Sequence, residues 1–156
     1  MRFLFSLTTL AGLAAMMLSC SSGSQEKDKV AGLRCEYLEA PLTVDVQTPR
    51  FTWVYEGGSG FTQYSYTVDV ATSEEGLSTP DVWSSGEVKS SVPFAKMDDT
   101  GLLKSDRTYY WRVTARNADS TQVLVSRPAS FRTAMMDRSD WTAVWISDSQ
   151  IGRAHV

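Results

Sequence analysis

The sequence predicts an all-β sandwich of about seven strands across residues 33–133. Three observations carry that prediction. Arg107–Asn117 alternates strictly, with Tyr109, Trp111, Val113 and Ala115 on one side and Tyr110, Arg112, Thr114 and Arg116 on the other, the pattern of a half-buried strand. Other short runs rich in aromatic and β-branched residues are separated by turns bearing glycine, serine or proline. No segment of this span shows the apolar period of an amphipathic helix. The apolar fraction of 42% and charged fraction of 21% are those of a globular chain. A domain of about 100 residues buries roughly 60–70% of its unfolded surface, enough for a self-sufficient core.

In chain order, residues 1–19 begin with Arg2 and continue through an uninterrupted apolar and small-residue run, which reads as an export signal rather than a membrane-spanning helix. The run ends at Leu18-Ser19-Cys20, an arrangement similar to the lipobox of bacterial lipoproteins, in which the cysteine is lipidated and becomes the new N-terminus. The alternative is a plain secretory signal cleaved near Ser19. Diacylation would supply the two-chain anchoring that a single chain does not, and residues 20–32 are polar, as suits a tether.

The first strand is expected at Leu33–Leu38 and carries Cys35. With no neighbouring base in the sequence, that thiol reads as a small buried hydrophobe more readily than as a reactive group. Pro49–Tyr55 places Phe51, Trp53 and Tyr55 on one face, and a proline suits the first position because it cannot donate to a ladder. Glu56–Gly60 is a turn by composition. Gln63–Thr72 groups Tyr64, Tyr66, Val68 and Val70, and two shorter strands come next at Trp83–Val88 and Ser91–Phe94. Val123–Thr133 closes the set, with Pro128 marking an edge or a bulge.

An early-strand tryptophan, Trp53, and a late-strand tyrosine, Tyr109, following Leu103 by six residues, resemble the immunoglobulin-like sandwiches of fibronectin type III kind. In those folds such a tyrosine turns its hydroxyl back onto upstream backbone, so Tyr109 is the expected structural corner. Trp53 and Trp111 are expected in the core. Trp83 and Tyr110 read either as edge packing or as exposed platforms for a sugar. Trp141 and Trp145 are expected to pack on this domain or on a following one, with residues 133–150 poorly fixed without it.

A net charge of −3 without a basic cluster argues against nucleic acid as a partner. No catalytic constellation, metal site or cofactor motif is present. Glu74-Glu75, Asp98-Asp99, Asp137 and Asp140 lack the spacing of a calcium loop and read as solvated turns.

Several segments taken together resemble the N-terminal module of bacterial α-L-rhamnosidases. They are Leu33–Glu39 with Pro41-Leu42, Pro49–Trp53, Tyr66–Ala71, Val82–Val88, Leu103–Val113 and Ser139–Ile146. The resemblance implies a multidomain glycoside hydrolase in which further β-domains and a helical barrel come after this module. Hydrolysis there is inverting, by two carboxylates roughly 6.5–9.5 Å apart. None of the barrel's positions lies in this chain, so no catalytic residue is carried over. The partners implied are the adjacent domains of the parent enzyme, the membrane through a lipid on Cys20, and plant-type polysaccharide, in the bacterial cell envelope. The alternative is a stand-alone surface lipoprotein whose sandwich binds glycan or protein.

Residues 134–150 are read as a linker towards a missing domain. Ile151–Val156, which holds the only histidine, His155, corresponds to one translation frame of a common sequencing-library adapter and is expected to be artefact.

Overall fold

The computed structural model describes residues 26–58 and 60–143; Cys20, Trp145 and Ile151–Val156 lie outside them. The strands are β1 (Lys29–Cys35), β2 (Arg50–Glu56), β3 (Ser65–Ala71), β4 (Trp83–Ser84), β5 (Val88–Lys89), β6 (Phe94–Lys96), β7 (Thr108–Arg116), β8 (Val123–Val125) and β9 (Ala129–Arg132). They form two sheets. One has the order β1-β2-β6; in the other β3 and β7 are central, with β4 and β5 on the outer side of β3 and β8 and β9 on the outer side of β7. The nine segments therefore occupy seven strand positions, in an Ig-like β-sandwich.

The two broken strands are broken in the same way. Val70 pairs with Trp83 and Tyr66 with Val88, so a step of four residues on β3 faces a step of five. Thr114 pairs with Val125 and Trp111 with Ala129, so three on β7 face four. Each outer strand thus carries one extra residue, a β-bulge. The first contains Gly86 at φ 60°, a conformation that favours glycine; the second contains Pro128.

At each bulge a serine repairs the ladder. Ser85 N–H donates to Val68 O at 2.9 Å, and Val68 N–H donates to Ser85 Oγ at 2.9 Å. Ser126 N–H donates to Val113 O at 2.9 Å, and Val113 N–H donates to Ser126 Oγ at 3.0 Å. Val68 and Val113 are opposite one another in the β3–β7 register. The same hydroxyl-for-carbonyl substitution therefore flanks the central pair on both sides, and neither buried amide is left without an acceptor.

The core lies between the sheets, with Phe51, Trp53, Val68, Val70, Trp111, Val113 and Phe131 all at or near full burial. Phe51 reaches across from β2, its ring centroid 4.6 Å from that of Trp111 and 5.9 Å from that of Phe131. Trp53 meets Tyr66 edge-on at 5.1 Å. Gln63 is buried beside them with every amide valence used. Its Oε1 accepts from Trp53 Nε1 at 3.1 Å and from the Tyr55 hydroxyl, while its Nε2 donates to the carbonyls of Ser90 at 2.7 Å and Val92 at 3.0 Å.

Four boundaries differ from the sequence prediction. β1 begins at Lys29, inside the stretch assigned to the tether, and residues 36–38 form a turn instead of continuing the strand. Its pattern was hidden by a bulge between Ala31 and Arg34, where Gly32 adopts φ 55° and an added Cβ would stand 2.8 Å from Val54 Cγ2. Tyr64 lies before β3 and is exposed, because Gln63 and not Tyr64 turns inward. The strand expected at Ser91–Phe94 is displaced to Phe94–Lys96, where Ala95, the small residue opposite Phe51, faces the core. The strand expected at Trp83–Val88 is broken into Trp83–Ser84 and Val88–Lys89, whereas Val123–Thr133 is interrupted at a bulge containing Pro128, as that proline indicated.

Replacing Ser126 by alanine leaves the buried Val113 amide without its acceptor. Ser126→Ala should lower unfolding free energy by about 1–3 kcal/mol, measured by chemical denaturation, with a smaller loss for the less buried Ser85→Ala.

Candidate functional site

The register places five strand termini at one end of the sandwich. Cys35 at the close of β1 sits opposite Phe51 near the start of β2, which sits opposite Ala95 of β6. In the other sheet Thr108, at the start of β7, pairs with Arg132 at the close of β9. Phe51 packs on Phe131, so these sheet ends coincide. The chain enters β1 at the opposite end and leaves β9 here.

A polar clamp holds the departing chain. The loop before β7 is folded back so that Lys104 N–H donates to the Tyr109 hydroxyl at 2.8 Å. Tyr109 is buried and its ring stacks on Phe131 at 5.5 Å. The buried Thr133 hydroxyl accepts from Arg107 N–H at 3.0 Å and donates to Lys104 O at 2.6 Å. Asp106 adopts φ 54°, held by the Arg132 guanidinium at 2.6 Å and by its own N–H donating to Ala134 O at 3.1 Å. Beyond it Ala134 N–H donates to Val44 O at 2.8 Å and Met136 N–H to Ser105 Oγ at 2.8 Å, while the Ser105 hydroxyl donates to Asp140. Asp137 caps the turn Arg138–Asp140, accepting from Ser139 Oγ at 2.6 Å and Ser139 N–H at 2.8 Å, which holds its carboxyl below the usual carboxylate range. The expectation that residues from 133 onward are poorly fixed is therefore corrected as far as Asp140: hydrogen bonds to the 103–107 loop and to Val44 fix them. With Gln47 they border a cleft of about 590 Å³.

Beside the clamp lies a tight turn. Cys35 and Leu38 exchange two backbone hydrogen bonds of 3.0 Å, and the two residues between them, Glu36 and Tyr37, have φ of 49° and 65°. Both central residues are left-handed, as in hairpin turns that favour asparagine and glycine. Arg50 holds this strained pair: its N–H donates to Glu36 Oε1 at 2.7 Å, its Nη2 to Oε2 at 2.6 Å, and its carbonyl accepts from Glu36 N–H at 2.9 Å. The guanidinium also lies 4.9 Å from the centre of the Tyr37 ring. The hydrogen bonds from the Arg50 side chain draw the Glu36 carboxyl below its ordinary value. Cys35 at the root of the turn is buried, and desolvation pushes its thiol up to about 12, so it is an inert core group.

Several large apolar side chains at this end stand in solvent: Tyr37 at 55%, Leu38 at 60%, Leu42 at 75%, Val46, Met135 and Trp141 at 66%. Trp141 thus does not pack on this domain, which removes one of its two expected positions. The other residues singled out by sequence are dispersed. Trp83 packs at the core edge, stacked 6.5 Å from Phe51, and its Nε1 donates to Asp98 at 3.0 Å, so Asp98 is not simply solvated. Tyr110 is half-buried on the outer face of β7, and Glu74 and Glu75 are exposed. Among the described residues no cluster of three His, Cys, Asp or Glu side chains could hold a metal. Thr133, Glu36 and Arg50 carry this site and were not singled out from sequence, although Glu36 and Arg50 lie in segments that carry the family resemblance. The described residues assemble an apolar surface beside a hydrogen-bonded exit.

The sequence model of the family described as "Rha78A-like, N-terminal immunoglobulin domain" matches residues 30–137. The chain is 38% identical over 124 residues to an α-L-rhamnosidase of Streptomyces avermitilis, covering 76% of this chain and 12% of that protein. The crystal structure of a Streptomyces avermitilis α-L-rhamnosidase complexed with L-rhamnose aligns with a TM-score of 0.66 at 37% identity, covering 78% of this chain and 12% of that one. The α-L-rhamnosidase from Dictyoglumus thermophilum aligns with a TM-score of 0.70 at 29% identity, over 78% of this chain and 14% of that one. The chain thus spans about an eighth of the length of these relatives.

Tyr109→Phe removes the acceptor of the Lys104 amide and should cost about 1–2 kcal/mol; an unchanged denaturation midpoint would mean that this bond does not pin the corner. Because the Glu36 carboxyl is lowered in the folded state, its contribution is present above the unfolded value near 4.5 and is lost as pH falls through the folded one. Stability of Glu36→Gln, monitored between pH 7 and pH 3, should fall less steeply than that of the parent.

Proposed function

The chain belongs to the family of Rha78A-like N-terminal immunoglobulin domains, and from that membership we propose that it is the non-catalytic leading module of an exported, lipid-anchored α-L-rhamnosidase. Hydrolysis of terminal α-L-rhamnosides is the work of later domains in the same polypeptide. The observation that carries this reading is the match over residues 30–137 combined with coverage of only 12% of the related enzyme. A sandwich with an apolar surface beside its exit is suited to positioning neighbours.

The leading segment supports export, and Leu18-Ser19-Cys20 supports anchoring through a lipid on Cys20. β1 starts at Lys29, at the end of the sandwich opposite the exit. β7 is nine residues long, and at roughly 3.3 Å per residue such a strand spans about 30 Å. The module would place the start of the remaining domains about that far from the end of the tether.

Reading the source locus past the codon for Gln150, and then expressing the complete frame, tests this directly. The frame should continue into further β-domains and a helical barrel. The complete polypeptide should release the aglycone from an aryl α-L-rhamnoside, and Cys20→Ser should move it from the membrane fraction to the soluble one. A stop codon shortly after Gln150 would leave a stand-alone surface module and overturn the enzyme reading.

A further inference from the structure

We propose that the Cys35–Leu38 turn is a preformed docking knob, and that Tyr37, Leu38 and Leu42 are buried in the complete polypeptide against the next domain of the chain. The inference rests on the rhamnosidase reading and names the surface through which the module positions its neighbour.

The fold itself gives no reason for these side chains. A two-residue turn with both positions left-handed is least strained with glycine or asparagine, yet Glu36 and Tyr37 occupy it at φ 49° and 65°, and Ala40 lies close by at 44°. Such strain persists only where the surroundings over-determine it. Here Arg50 does so, gripping Glu36 through both main chain and side chain and standing over the Tyr37 ring. That grip holds Tyr37 and the adjoining Leu38 in water, both more than half exposed, and Leu42 nearby in the chain is more exposed still. Arg34 and Glu39, paired at 3.5 Å, provide polar groups close to it in sequence, as at the rim of a protein interface. A turn already fixed in the unbound state loses little conformational freedom on docking.

The position of the exit selects the occupant. The exit chain is tied down as far as Asp140 by Ser105. Pro41–Val46 runs beside Arg132–Ala134, with Pro41 O accepting from Arg132 N–H and Val44 bonded to both Arg132 and Ala134. A domain attached beyond Ala143 therefore starts from the same end of the sandwich as the knob. An apolar face on that next domain, with a polar group for the Tyr37 hydroxyl, is the chemistry that fits.

Hydroxyl-radical footprinting of the complete polypeptide provides the test, with Tyr64 as internal standard. Tyr37 is 55% exposed and Tyr64 44% exposed in the module. If the knob is docked, Tyr37 is oxidised several-fold more slowly than Tyr64, and Leu38→Ser with Leu42→Ser restores its rate. Equal rates in a polypeptide that does contain the later domains overturn the docking and leave the rhamnosidase reading intact. Protection that grows with protein concentration would identify a second copy as the occupant and also overturn it. A frame that stops after Gln150 removes the occupant and the enzyme reading together.

Discussion

Phe51 is the wedge on which the sandwich depends. It rises from the three-stranded sheet into the other sheet, against Trp111, Phe131 and Trp83, and is fully buried. Side chains directly opposite one another on adjacent strands share a face, and the residues opposite Phe51 are Cys35 and Ala95. Both are small. The ring can lean across the interface because its neighbours on either side leave room, which accounts for a buried cysteine at this position. Enlarging either neighbour would force Phe51 out of a densely packed site.

Around that apolar centre single polar side chains close both bulges of the larger sheet and tie neighbouring loops to it. Ser85 and Ser126 lend their hydroxyls to ladder amides where the outer strands bulge. Gln63 joins Trp53 and Tyr55 to the carbonyls of Ser90 and Val92. Thr133 fastens the last strand to the loop before β7. Each costs little while satisfied and a good deal if removed, because a buried donor or acceptor has no water to return to. These side chains convert an approximate stack of two sheets into one with defined strand ends.

Defined ends matter for the proposed role of the module, which is to work by position. The leading residues enter at one end and the trailing residues leave at the other, so the length of the central strands sets the spacing between the segments on either side of the sandwich. The trailing segment is hydrogen-bonded onto the body as far as Asp140, so the direction in which the next residues depart is set by the sandwich. The rigid turn beside that exit turns the same end into a surface.

The alternation along Arg107–Asn117 and Pro49–Tyr55 was enough to mark those two strands and the burial of Trp53 and Trp111, because side-chain direction in a strand is a local property with a period of two. The sandwich needed the other strand and turn runs as well, and the corner at Tyr109 came from the resemblance to immunoglobulin-like folds. The segments that resemble the rhamnosidase module, taken together, were enough to point to the family. The start of β1 was obscured because the bulge at Gly32 breaks that period. Gln63, Thr133, Ser85 and Ser126 look from the sequence like ordinary polar surface residues. Only the tertiary structure decided that they are buried or bonded, since their partners lie from 8 to 29 positions away. The same holds for the pairing of Glu36 with Arg50, 14 positions apart, and hence for the exposed turn it stabilises. Burial pattern is written along the chain; the satisfaction of a buried polar group depends on which strands the fold brings together.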